Sequence, residues 1–97
     1  MSAVIKQSFA EFDALLREKL AGLQPRSLEL IDDSALHAGH AGARSGGGHY
    51  RLRIVSESFT GKPTLARHRM IYSALGELMH AKIHALSIVS LTPEEDR

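Results

Sequence analysis

The residues of this 97-residue chain best suited to chemistry are its six histidines, at positions 37, 40, 49, 68, 80 and 84. Neutral imidazole is a good ligand for iron, zinc and copper. Cysteine is absent. The chain can therefore offer no thiolate, and any soft-metal site would need sulfur from elsewhere. His37, His40 and His49 fall within one glycine- and alanine-rich stretch, HAGHAGARSGGGH. Two readings of that stretch compete: a slack connector with stray histidines, or a flexible arm carrying a ligand to a metal. His37 and His40 form an H-x-x-H pair that a turn could present to one ion. No H-E-x-x-H helix motif supports a zinc enzyme.

The other histidines have simpler roles. His49 opens a strand, where it could orient a neighbour or act as an auxiliary ligand. His68 sits in RHR at a helix start, suited to hydrogen bonding or exposure. His80 lies near a helix end, where partial positive charge suits the dipole. A lone histidine at a strand start, such as His84, is most often structural. The chain has no nucleophile–base pair and no Walker loop, and the glycines of SGGGH precede a strand and lack G-x-G-x-x-G spacing. These features argue against an enzyme.

Charge is uneven. Arg44, Arg51, Arg53, Lys62, Arg67 and Arg69 face only Glu57 between positions 44 and 69, a local +5 in a chain of net +1. Such a segment could meet phosphate or an acidic partner surface, or it could be solvated sheet and helix faces.

The elements that must position these residues follow from periodicity. Apolar residues Ile5, Phe9, Phe12, Leu15, Leu16 and Leu20 predict a helix over 3–22, stopped by Gly22. SLELIDD (27–33) predicts a strand with Leu28 and Leu30 on one face. HYRLRIVS (49–56) predicts a second, with Tyr50, Leu52 and Ile54 inward and Arg51 and Arg53 outward. After a turn at Gly61 and Pro63, a helix capped by Thr64 runs to about His80, its apolar stripe formed by Ile71, Ala74, Leu75 and Leu78. IHALSIVSL (83–91) predicts a third strand. TPEEDR (92–97) reads as a polar tail.

The result is one α+β domain over 1–97, α-β-β-α-β, with a core over about 3–91 and a three-stranded sheet with helices on one face. The start is read as an amphipathic helix, not a signal peptide, and no run is long and apolar enough to span a membrane. The strand–helix–strand unit is long enough for a parallel crossover. The third strand would then begin at the end of the sheet where the 34–48 loop opens. That would bring His84 beside the loop, although His37 and His84 are 47 positions apart.

FTGKPTLARHRMIYSAL followed by HALSI resembles the BolA family, and LELIDDSALHAGH with GGGHYRLRIVS fits its first two strands. The similarity covers roughly residues 8–92. It implies a class II KH-like fold with an extra helical turn. It also implies a cytoplasmic adaptor that forms a heterodimer with a monothiol glutaredoxin, the two sharing a [2Fe-2S] cluster. The isolated chain could form a homodimer. With histidine and no cysteine in the loop, the chain resembles the histidine-loop type. His37 then takes the loop ligand position, with His40 as its rival, and His84 of HAL matches the family's C-terminal ligand. Two imidazoles can replace two thiolates on one iron. The partner and its glutathione would supply the two sulfurs.

The resemblance also implies, for some members, DNA-binding regulation of stress response and cell morphology. Lys62, Arg67, His68 and Arg69 could contact DNA or a protein partner. FTGKPT holds one glycine and so lacks the G-x-x-G clamp of KH domains at that turn. Arginines at i and i+2 point to different sides of a helix, so Arg67 and Arg69 could instead brace the fold.

Overall fold

The computed structural model describes residues 9–33, 48–81 and 83–96. Its elements are α1 (Phe9–Leu20), β1 (Ser27–Asp32), β2 (Gly48–Val55), α2 (Thr64–Leu75), α3 (Leu78–Ala81) and β3 (Ile83–Leu91), with short 3-10 turns at Ala21–Leu23 and Glu57–Phe59. This is the expected α+β domain, with its additional helical turns.

The sheet has the order β1-β2-β3. β1 pairs antiparallel with β2, from Ser27 opposite Val55 to Asp32 opposite Tyr50. β2 pairs parallel with β3, as the strand–helix–strand crossover requires. Alternation sorts the two sheet faces. Leu30, Leu52, Ile54 and Ile83 are buried, and Leu28, Tyr50, Leu86 and Ile88 pack against them. Ile31, Arg51, Ser87 and Val89 remain exposed on the other face.

The helices cover the apolar face. α1 buries Phe12, Leu16 and Leu20, one residue per turn, and α2 buries Ile71 and Leu75. Phe59, fully buried, fills the space under the turn before α2. Phe9 and Leu15 share the periodicity of α1 yet are 41% and 37% exposed, so the buried stripe is narrower than the apolar pattern suggests. Position 5 lies outside the described residues.

Three expectations about local structure are corrected. Pro63, not Thr64, precedes the helix as its cap; its backbone is extended and no side chain caps the first turn. Thr64 is the first helical residue. The predicted single helix to about His80 is two, because Gly76 takes φ 55° and turns the chain between α2 and α3. Ile71, Leu75 and Leu78 still reach one core across that break. Finally, Thr92–Asp96 folds back on the domain. The Thr92 amide donates to the Glu95 carboxylate, and the Glu95 amide donates to the Thr92 hydroxyl. This reciprocal pair is a capping box, legible in T-P-E-E.

Candidate functional site

The end of the sheet where β2 and β3 begin is set by an irregular register. Gly48 pairs with Ile83 and His49 with Ala85. His84 is therefore the extra residue of a bulge, opposite the Gly48–His49 peptide. Bulges re-aim a residue and commonly lie beside functional sites. β1 ends at the same place. The Asp33 amide donates to the His49 carbonyl at 2.7 Å, closing the neck of the 34–47 connection. Arg51 Nε lies 2.6 Å from Asp33 Oδ2 and ties the same neck through side chains.

The topology thus brings His84, by its backbone, together with His49 and both ends of the histidine-bearing loop. His37 and His40, like Arg44, lie outside the described residues. His49 is partly buried, with Nε2 below the surface, and borders a cleft of about 180 Å³ lined also by Asp33, Tyr50, Arg51, Ala85 and Ser87. Among the described residues, no group of three or more His, Asp or Glu side chains could hold a metal ion. Among the described side chains, the donors gathered at this end are the His49 imidazole and the Asp32 and Asp33 carboxylates, and none carries sulfur.

Tyr50 covers the other face of this end. A β-carbon at Gly48 would overlap Cε2, Cζ and Oη of Tyr50, so the phenol lies along the strand over Gly48. Phe12 stacks on the ring at 4.6 Å and Phe9 at 6.5 Å. Burial, and then the nearby Asp32 carboxylate, raise the phenol pKa above its ordinary value. The alternating pattern reads Tyr50 only as core, and its return over Gly48 is not visible in spacing.

The basic segment is less positive in three dimensions than in sequence. Arg51 pairs with Asp33, Arg53 with Asp96 and Arg67 with Glu95, all acids from outside the segment. Arg67 departs from the expected contact surface. It is 9% exposed, and donates to the Lys62 and Ser90 carbonyls and to both Glu95 oxygens. Its guanidinium carbon also lies 5.9 Å from the Phe59 ring centre. Arg67 braces the fold; its donors are already engaged and are withdrawn from DNA or a partner. The hydrogen bond to Glu95 raises its pKa further. The same bond, aided by the Thr92 amide, lowers the Glu95 carboxyl to about 2. Lys62 and Arg69 are exposed, His68 is partly buried with an edge contact to Tyr72, and His80 is exposed.

The model of the family described as BolA-like protein matches residues 16–95. The chain belongs to the BolA family. It is 48% identical to SufE-like protein 1 of Arabidopsis thaliana over 82% of the chain, yet spans only 23% of that protein. The DNA-binding transcriptional regulator BolA of Escherichia coli is 43% identical over 82% of the chain and 74% of its own length. Among solved structures, the BolA domain of SufE1 from Arabidopsis thaliana superposes with a TM-score of 0.73 at 43% identity, over 93% of this chain and 99% of that one. The BolA fold is thus established on both sequence and structure. No helix among the described residues is long and apolar enough to cross a membrane.

Proposed function

We propose that this chain is a cytoplasmic adaptor in iron–sulfur handling, a binding protein and not an enzyme. In this reading it pairs with a monothiol glutaredoxin and shares a [2Fe-2S] cluster, held from this side by His37 and His84. One observation carries the proposal: the bulged parallel register puts His84 opposite Gly48–His49, at the neck of the loop that holds His37. The absence of cysteine supports it, because sulfur must then come from the partner and its glutathione. Imidazole ligation would lower the negative charge on the cluster and raise its potential. The test is reconstitution of the full chain with a monothiol glutaredoxin, glutathione and iron, followed by visible circular dichroism. His37→Ala and His84→Ala should each change the spectrum, and His40→Ala should leave it intact. An unchanged spectrum in the first two would sink the ligand assignment.

The Escherichia coli relative's name favours a second reading, DNA-binding regulation. Lys62 and Arg69 would carry the phosphate contacts, since both are exposed.

A further inference from the structure

We propose that the outer edge of β3 is a pairing surface for a second copy of this chain, the two strands running antiparallel about a two-fold axis at Ser87. The pairing does not depend on the cluster-sharing role. β3 is the last strand in the order β1-β2-β3, so one side of its backbone faces away from β2. The Leu91 carbonyl accepts from the Ser56 amide on the inner side. Strand alternation then turns the N–H and C=O groups of Leu86, Ile88 and Ser90 to the outer side. Proteins commonly guard such an edge with charged residues or proline. Residues 83–91 contain neither.

The fold limits this edge at both ends. At one end the ladder is broken by the bulge at His84, since Gly48 pairs with Ile83 and His49 with Ala85. At the other, the Arg67 guanidinium occupies the Ser90 carbonyl. Among the described residues, no other group outside the sheet hydrogen-bonds to the outer side. Leu86 and Ile88 are left between these limits, with Ser87 at their midpoint. A two-fold axis there sets Leu86 of each protomer opposite Ile88 of its partner, and each such pair exchanges both of its backbone hydrogen bonds. The side chains match as well. On the helix-covered face, Leu86 and Ile88 are half-buried and would complete each other's cover. On the open face, Val89 is 50% exposed and would meet Ala85. Each strand thus supplies the apolar neighbours its copy needs, and neither brings a charge. The joint is small, so the dimer is weak and reversible.

Because the chain lacks cysteine, single substitutions report the register. Two Ser87 residues would face each other as a non-hydrogen-bonded pair, with Cα atoms about 4.5 Å apart, within disulfide reach. Sedimentation velocity of the full chain should show a dimer fraction that rises with concentration. Under mild oxidation, Ser87→Cys should become a disulfide-linked dimer. Ala85→Cys and Val89→Cys stand opposite each other and not themselves, so each alone should stay monomeric and a mixture of the two should cross-link. Ser87→Lys sets like charges face to face at an exposed position, and should abolish the dimer without moving the urea midpoint. A wild type that is monomeric at every concentration would overturn the proposal and leave the edge to a strand of another protein. Cross-linking of Ser87→Cys no faster than that of Ala85→Cys or Val89→Cys, or a dimer that survives Ser87→Lys, would overturn it equally.

Discussion

The Arg67 guanidinium grips both carboxylate oxygens of Glu95, at 2.7 and 3.1 Å, and so joins the first turn of α2 to the end of the chain. The pair is two-pronged, which adds geometric definition to charge. Its arginine is nearly buried and its carboxylate half exposed. The same guanidinium holds the Ser90 carbonyl of β3 and the Lys62 carbonyl ahead of α2. One side chain thereby fastens a helix, a strand and the terminal turn.

Arg67→Ala should destabilise the domain by about 2 kcal/mol, because two carbonyls lose a donor inside the fold. Arg67→Lys should recover little, since an ammonium cannot reproduce the planar fork. Urea unfolding followed by far-UV circular dichroism measures both. A midpoint for Arg67→Ala equal to the wild type would remove the bracing role.

Acid should loosen the same clasp. The Glu95 carboxyl is lowered from 4.5 to about 2, so the folded state favours its charged form. Its contribution is complete above pH 4.5 and is lost as pH falls toward 2. Urea midpoints taken across that window should fall in the wild type. In Glu95→Gln they should start lower and fall less. Parallel curves would assign the acid sensitivity to other carboxylates.

Gly76→Ala should cost about 1–3 kcal/mol, because a side chain is strained at φ 55°. Space does not forbid it, since the added carbon would meet only the Ser73 carbonyl at 4.0 Å. Thermal unfolding of this variant against Gly22→Ala, whose added carbon meets nothing within 4 Å, separates conformational strain from any general intolerance of substitution.

If the chain binds DNA, Lys62→Ala and Arg69→Ala should weaken binding on every sequence and reduce the salt slope by about 1 each. Their urea midpoints should not move. Arg67→Ala should lower binding only as far as it lowers the folded fraction. Fluorescence anisotropy at several salt concentrations reads these differences. An unchanged slope in the two exposed variants would place the DNA contacts elsewhere.

The legible parts of the fold are those where side-chain period coincides with burial. Leu52 and Ile54 alternate with Arg51 and Arg53, and β2 follows. Phe12, Leu16 and Leu20 recur at one turn, and α1 follows. The parallel crossover needed only element order and loop length, and it carried His84 to the loop neck. What stayed hidden depends on contacts between distant residues. Nothing local to Arg67 announces Glu95, and nothing local to Arg51 or Arg53 announces Asp33 or Asp96. The positive excess of the middle segment is therefore smaller in the fold than in the sequence. The Gly76 break was obscured by the apolar stripe continuing through it. T-P-E-E has the spacing of a capping box, but its polarity reads equally well as a solvated tail. The bulge at His84 has no signature in spacing, because it exists only relative to Gly48 and His49.

The strand that Arg67 touches forms one side of the sheet and carries no charged residue from Ile83 to Leu91. Leu91 offers its carbonyl inward, to the Ser56 amide of the neighbouring segment. Strand alternation turns the Ser90 carbonyl outward, where the arginine occupies it. An uncharged outer strand invites another chain to add itself edge to edge. The guanidinium blocks that approach at one point of the strand. Loss of the clasp would then surface as aggregation during expression or refolding, in addition to the lowered stability of the domain.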